Sequence, residues 1–443
     1  MTFICRLPKL GSMKRIFLPA FSTLLLWTAP VLGQECDVVF EEITVLREPD
    51  FGQYTVWDHV YGQDGMEQFA DFVPMEDGSV VLAGSFTRDP EDKTYHPLMV
   101  QIDPKGKVLW EVRDDTKFFK TIDRIIETAN GFAVVGDIKD PKRGDGVYLA
   151  QYDKAGKKKT EWPIFESGAD LDAKAVVQTS NEQGFILAAQ YVPKKEGEAG
   201  QYGVVYRLTK TGARVWRRAY TPGMGTIFNN MQNLSDGTYM ITGAVTMEDG
   251  RKGGWLLRLD NNGAIQWQQT FPRGSYAAFD SMTEVGNEGY LVVGEAKPSG
   301  GGRSSGWVMK TDQIGLPKWQ RYYAGDFSYR GADVISYKDG RSAVLLDARA
   351  QKMTQRTHGR LLTFSPRGYL MNVEDYSEAM GGRALRMHRG PKDERMVSGY
   401  AQTEYSEAET PEEIEPYKFD GWFFAGVPLD PYDDPCAPKV AFP

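Results

Sequence analysis

Apolar and polar residues alternate along this chain in short runs with a period of two, and one stretch in its middle shows the pattern clearly. There DAKAVVQT (Asp172–Thr179), GFILAAQY (Gly184–Tyr191), YGVVYRLT (Tyr202–Thr209) and ARVWRRAY (Ala213–Tyr220) each predict one strand. Nothing in this unit has helical period. We call the four strands a, b, c and d. Asp77-Gly78, Asn130-Gly131, Asp236-Gly237 and Asp339-Gly340 predict tight a-to-b hairpins, because Gly takes the positive φ that such turns require. The c-to-d connection repeats one phrase, as DPKGKVLW at Asp103, TKTGARVW at Thr209 and DNNGAIQW at Asp260. In it Gly106, Gly212, Gly263 and Gly315 each stand four residues before a tryptophan.

The tryptophans of this phrase and its relatives, Trp57, Trp110, Trp162, Trp216, Trp267 and Trp319, are spaced by 53, 52, 54, 51 and 52 residues. A second marker, in strand b, agrees: Gly84, Gly136, Ala189, Gly243, Gly294, Asp347 and Gly399 step by 52, 53, 54, 51, 53 and 52. A unit of about 52 residues therefore occurs seven times. One such unit is too small to bury both its faces. Seven copies predict an all-β fold, a seven-bladed β-propeller with four-stranded antiparallel blades around an axis. The last unit has a, b and c strands near 384–388, 395–402 and 420–427 but no d strand, whereas Gln53–Gly62 carries the tryptophan of a d strand with nothing before it. The N-terminal strand is thus expected to close the last blade and hide two sheet edges.

The start of the chain adds a compartment. MKRIFLPAFSTLLLWTAPVLG has a basic beginning, a short apolar run and a small residue at its end, the pattern of a signal peptide over residues 1–33, with Met13 as an alternative start. An uncleaved membrane anchor is the alternative. Cleavage would leave one propeller domain over 34–443, with the closing strand at 53–62, repeats from about 63 to 427 and a tail at 428–443. The product is expected to be periplasmic or secreted, with no stable membrane span. Loss of Arg6, Lys9, Lys14 and Arg15 and of no acid moves the formal net charge from −8 to −12, which argues against nucleic acid as a partner. Two cysteines remain, Cys36 and Cys436, one near each end of the mature chain. In an oxidising compartment they are expected to pair and lock the closing blade, with two unpaired thiols as the alternative.

TSNEQGFILAAQ, YGVVYRLTKTGARVW and SDGTYMITGA resemble the repeats of bacterial secreted propeller proteins. The Asp-x-x-Gly-x-x-x-Trp corner is also similar to the tryptophan-docking corner of quinoprotein-like propellers and, more loosely, to the Asp-box corner of sialidases. The resemblance covers nearly the whole mature chain and implies the fold; as packing motifs, these corners transfer no active site. Two copies depart from the pattern: Gly156 stands six residues before Trp162, and Asn372 occupies the tryptophan position of the sixth unit.

Topology then sorts the connections. The short a-to-b and c-to-d turns share one end of the blades, and the b-to-c and d-to-a connections share the other. The latter are longer and differ between units, as in the segments starting at Phe86, Ile138, Val192, Lys297 and Ala348 and the glutamate-rich QTEYSEAETPEEIEPYKF. Variable loops on a rigid scaffold are where binding usually resides. The glutamate run reads as a solvated loop, or as a site for a basic partner or Ca2+. Phe118, Phe119, Tyr276, Phe327, Tyr329 and Tyr376 fall at the d-to-a connections, where they are candidates for stacking on sugars or anchoring a protein, with about half expected to be core plugs. An Asp or Asn recurs near the start of strand a, at Asp71, Asp123, Asp172, Asn229, Asp280 and Asp333. These either cap the local turn, the favoured reading, or ring the axis and hold a structural cation.

Enzyme signatures are sparse. His59, His96, His358 and His388 lie in separate units without metal-ligand spacing, so no metal site is expected, and SGGGRSSG lies between strands rather than before a helix. No cofactor is expected beyond the axial cation. The sequence therefore favours a non-catalytic exported scaffold that binds a protein or glycan through its loop-rich end. The alternative is a glycan-processing enzyme that uses carboxylates such as Asp71, Asp280 and Asp333 at the channel mouth.

Overall fold

The structure is a computed structural model that describes residues 57–428 except 64, 90, 92, 180–182, 195–199, 351–355, 377–380 and 406–415. The signal segment, Cys36, Cys436 and most of the glutamate run lie outside the described residues.

The closing strand β1 (Trp57–Tyr61) comes first. The chain then runs through antiparallel meanders whose members are hydrogen-bonded in sequence order. The first is β2 (Glu67–Pro74), β3 (Val80–Phe86), β4 (His96–Ile102) and β5 (Val108–Arg113), and the second is β6 (Arg124–Thr128), β7 (Gly131–Asp140), β8 (Gly144–Asp153) and β9 (Lys158–Ile164). The third is β10 (Ala169–Gln178), β11 (Gly184–Pro193), β12 (Tyr202–Thr209) and β13 (Arg214–Tyr220). Next come β14 (Gly225–Asn233), β15 (Tyr239–Thr246), β16 (Lys252–Leu259) and β17 (Ile265–Pro272), then β18 (Tyr276–Glu284), β19 (Tyr290–Lys297), β20 (Ser305–Thr311) and β21 (Pro317–Tyr323). A further meander is β22 (Ser328–Ser336), β23 (Ser342–Arg349), β24 (His358–Phe364) and β25 (Leu370–Tyr376). The final strands are β26 (Gly382–Arg389), β27 (Glu394–Tyr405) and β28 (Pro416–Pro428). One 3-10 turn, Gly286–Glu288, interrupts the strands, and no helix among the described residues is long and apolar enough to cross a membrane.

Hydrogen bonding groups these strands into six sheets, five of four strands and one of eight. The eight-stranded sheet consists of β14–β17 and β18–β21, joined through the single parallel pair Lys252↔Tyr276. The closure expected from the sequence is present: β1 pairs antiparallel with β28, from Trp57↔Ala425 to Tyr61↔Gly421, so the last sheet runs β1-β28-β27-β26. Its ends in sequence are thus neighbours in one sheet. The first strand of each meander touches the first strand of the next, in the order β2, β6, β10, β14, β18, β22 and β26, and β26 returns to β2. The fold is that of a β-propeller.

Burial falls outward along each sheet. Every residue of β3 is buried, whereas β5 is exposed or half-exposed throughout. The cores lie between consecutive sheets, because each sheet is apolar on both faces near the axis. At the closure Phe69, Phe72 and Leu82 pack with Met396, Phe423 and Ala425, and Phe72 meets Phe423 edge-on with ring centroids 5.2 Å apart.

Two local devices explain the repeated sequence. Strand a carries a β-bulge in almost every unit, with register shifts at Phe69/Asp71, Ala173/Ala175, Phe228/Asn230, Phe279/Ser281, Gly331/Asp333 and Ala384/Arg386. The bulge pushes a carbonyl at the facing strand b. A Cβ on Gly84 would stand 1.8 Å from the Gln68 oxygen, and one on Gly294 would stand 1.9 Å from that of Ala278. That contact accounts for the glycine marker.

The second device is the c-to-d corner. Asp103, Asp260 and Asp312 each accept two backbone N–H bonds from their own turn, two and four residues on. The turn glycine lies under the tryptophan of the preceding sheet: Cβ atoms on Gly156, Gly212, Gly263, Gly315 and Gly368 would meet the rings of Trp110, Trp162, Trp216, Trp267 and Trp319 within 2.8 Å. Trp162 keeps this docking despite its displacement, because a shift of two residues leaves a strand side chain on the same face. Asn372 does not replace it. Asn372 Nδ2 donates to Glu374 Oε1 (2.7 Å), which also takes Arg395 Nη1 at 3.0 Å, so an ion pair stands where the other units dock a tryptophan.

Candidate binding face at the loop-rich end

The b-to-c and d-to-a connections do lie at one end, but they are less uniform than the sequence suggests. The segment read as a loop near Ile138 is a long hairpin, since β7 extends to Asp140 and β8 resumes at Gly144.

The candidate aromatics do not form one platform. Phe118 and Phe119 are half-buried on the β5-to-β6 connection, where Lys117 Nζ lies 5.7 Å from the Phe118 centroid and Lys139 Nζ 4.7 Å from that of Phe119. Tyr276 begins β18, half-buried, with Lys252 Nζ 5.8 Å from its ring. Burial, and then the charges of Glu295 and Asp280, push its hydroxyl up to about 12. Phe327 stands edge-on to His358 at 4.7 Å. Tyr329 is a core plug, 1% exposed, with its hydroxyl accepting from Arg360 Nη1 at 2.8 Å. Tyr376 also turns inward, against Phe424 at 4.6 Å and onto Glu374.

Asp71, Asn229, Asp280 and Asp333 reach neighbouring four-strand units rather than capping the turn before strand a, whereas Asp123 and Asp172 bond locally, to Thr121 Oγ1 and Lys174 Nζ. Asp71 accepts from Phe72 N (2.9 Å) and, across the sheet gap, from Ile125 N (3.2 Å). Asp333 accepts from Val334 N (2.9 Å), Ser281 Oγ (2.7 Å) and Met387 N of the last sheet (3.1 Å). Asp280 takes Arg330 Nε at 2.9 Å, and Asn229 Nδ2 donates to the Phe279 carbonyl at 2.9 Å. Asp71, Asp280 and Asp333 are each buried, at 5–6% exposure. Burial pushes the Asp280 and Asp333 carboxyls up, against Arg330 for the first and against His388 and Ser281 for the second.

Three groupings here escaped the sequence. His388 Nε2 lies 3.0 Å from Asp71 Oδ1, bridging the last sheet to the first. Burial opposes its charged form, but the Asp71 hydrogen bond and the charges of Asp71 and Asp333 outweigh it and raise the ring above its ordinary range. Between β6 and β10, Asp123, Asp137 and Asp172 crowd together. Burial and then Asp172 push Asp123 up to about 6, while Lys174 Nζ holds Asp172 at 2.5 Å. On the other side, Arg349 Nε (2.8 Å) and Arg383 Nη2 (2.7 Å) both donate to Asp347 Oδ2, and Arg330 lies opposite Asp347 across the β22–β23 pair. These arginine side chains remain 34–41% exposed above buried carboxylates. Among the described residues no group of three or more His, Cys, Asp or Glu side chains is arranged to hold a metal ion.

Two clefts sit at the opposite end, among the short turns. One of about 420 Å³ is lined by Gln183, Arg207, Thr209, Val215, Trp216 and Asn262, and one of about 180 Å³ includes Asp236, Arg258, Glu284 and Tyr290.

No family model matches this chain, and no curated protein matches it. Among solved structures it is similar to the BBS1N chain of a BBS1N–ARL6DN complex, with TM-score 0.46, 12% identity, and 85% of this chain and 97% of that one covered. It is similar to the β-propeller domain of the Trilobed protease from Pyrococcus furiosus, with TM-score 0.45, 9% identity and coverage of 84% and 99%. The Hadza microbial sialidase Hz136 is a third, with TM-score 0.43, 10% identity and coverage of 77% and 75%.

Proposed function

We propose that residues 34–443 form one exported, seven-bladed propeller of the bacterial secreted repeat type, a non-catalytic scaffold that binds a protein or glycan through its loop-rich end. The blade count is supported by the unbroken cycle of contacts from β2 through β26 and back to β2, with the eight-stranded sheet contributing two blades. The observation that carries the scaffold reading is the engagement of the axial carboxylates. Glycoside cleavage needs two carboxyl groups facing a sugar across roughly 5–10 Å of open site. Asp71, Asp280 and Asp333 are instead buried and bonded to neighbouring sheets. What the end offers a partner is the half-buried Phe118, Phe119 and Tyr276 and the arginines above Asp347 and Asp280, a mixture suited to recognition.

The test is a glycan array together with cross-linked capture from the native envelope. Binding that weakens in Phe119→Ala and Tyr276→Ala, with no new reducing ends released, supports the scaffold. Release of reducing sugar that Asp71→Asn or Asp280→Asn abolishes assigns the enzyme reading instead.

A further inference from the structure

The c-to-d corners at the end opposite the candidate binding face expose a run of cations along its outer rim. Its first three c-to-d corners are consecutive, because Trp110 docks on Gly156 and Trp162 on Gly212. They expose Lys105 and Lys107 in the first, Lys154 and Lys157 in the second, and Lys210 and Arg214 in the third. None of the six has a carboxylate within ion-pair distance among the described residues. Of the acids nearby, Asp103 and Asp153 accept backbone N–H groups of their own turns, Asp153 also pairs with Lys159 at 2.7 Å, and Glu161 pairs with Lys120 and Lys158. Exposed Glu76, Asp77 and Glu127 stand on the a-to-b turns of the same end, and Asp103 feels the charges of Lys105 and Lys107, so the six cations form a basic outer rim beside those acids on a chain whose formal charge is −8.

Aliphatic side chains stand out of the same end. Leu109 is 54% exposed, Val215 55%, Ile265 48%, Ile314 57% and Leu316 49%, all in or next to c-to-d corners. Leu109 and Val215 share corners with the named cations, and Ile265, Ile314 and Leu316 extend the apolar rim through the next two corners, an arrangement that matches a bilayer interface: ammonium groups meet lipid phosphates while aliphatic tips enter the headgroup boundary. We propose that the corner end is a peripheral docking surface for an anionic lipid bilayer, which leaves the loop-rich end facing away from the membrane. This proposal rests on the corner residues alone and does not depend on what the loop-rich end binds.

Flotation of the purified protein with vesicles tests it. Vesicles of phosphatidylcholine with 30% phosphatidylglycerol should carry the protein at low salt, and vesicles of phosphatidylcholine alone should not. A Lys154→Glu, Lys157→Glu, Lys210→Glu, Arg214→Glu variant, with its melting temperature checked against the native protein, should partition at least about tenfold less, and 0.5 M salt should weaken the native protein comparably. Leu109→Ser with Ile314→Ser, which alters no charge, should lower partitioning without changing its salt dependence. Equal flotation with both vesicle types would show binding indifferent to headgroup charge and overturn the proposal. So would retention on an acidic polysaccharide column without flotation, which would make the patch a polysaccharide site.

Discussion

Replacing Gly315 by Ala should cost more than the left-handed backbone alone explains, and the excess should vanish when Trp267 is removed. Gly315 has φ +82°, where an L side chain loses about 1–2 kcal/mol. Its Cβ would also stand 2.7 Å from Trp267 Cζ3 and 3.0 Å from Gln269 Cγ, an overlap worth about another 1–2 kcal/mol because the ring must shift at the rim. Trp267→Ala removes a half-buried indole and should cost about 2–3 kcal/mol. In that background Gly315→Ala should cost only the backbone part, giving a coupling of about 1–2 kcal/mol in a double-mutant cycle measured by urea denaturation at constant m. Gly250 supplies the control, with φ +78° and nothing within 4 Å of an added Cβ. Gly250→Ala should match Gly315→Ala in the Trp267→Ala background. Additivity within about 0.5 kcal/mol would refute tryptophan docking as the link between sheets.

Three further outcomes follow from particular side chains. Asn372→Trp should lower stability by about 3 kcal/mol in the same denaturation assay, because the indole would displace the Glu374 partner of Arg395, whose side chain is only 4% exposed; an unchanged midpoint would show that the docking slot persists. His388→Gln should destabilise by about 1 kcal/mol at pH 5.5, a value reduced for the 40% exposure of the ring. Because the folded state raises this histidine, its contribution is full below about pH 6.5 and is lost as pH rises through the folded value, so native and variant should converge at pH 9. Asp123→Asn should act in the opposite sense. With the carboxyl held up to about 6, ionisation costs the fold stability as pH climbs from 4 to 6, so the variant should equal the native protein at pH 4 and exceed it by about 1–2 kcal/mol at pH 7; a loss at pH 7 would show that Asp123 is needed ionised.

The sequence exposed those parts of the fold whose chemistry is local. Asp260, Gly263 and Trp267 lie within eight residues and describe a turn, its φ and the ring that seals it, so the corner could be read from one copy and the period from all of them. Closure was legible because a surplus strand at one end matched a missing strand at the other. The glycine marker was visible, but its cause was not, since the bulge that presses the Gln68 carbonyl on Gly84 arises from pairing between strands. Partners far apart in sequence were invisible: Asp71 and His388 are 317 residues apart, and Asp280 and Arg330 are 50. The aspartates were read as caps of the local turn or ligands of an axial cation, whereas Asp71, Asp280 and Asp333 accept from groups of neighbouring sheets, partners that no local pattern reveals. Tyr329 and Tyr376 could not be told from surface aromatics, because they pack with Arg360 and Phe424 on other strands.

The division of labour between the two ends is tested most directly by photo-crosslinking in the native envelope, with a benzophenone amino acid placed at Phe118 in one variant and at Ile314 in another. A macromolecular adduct formed from position 118, with none beyond lipid from position 314, is the predicted result. A protein or glycan adduct formed from position 314 but not from position 118 would contradict it.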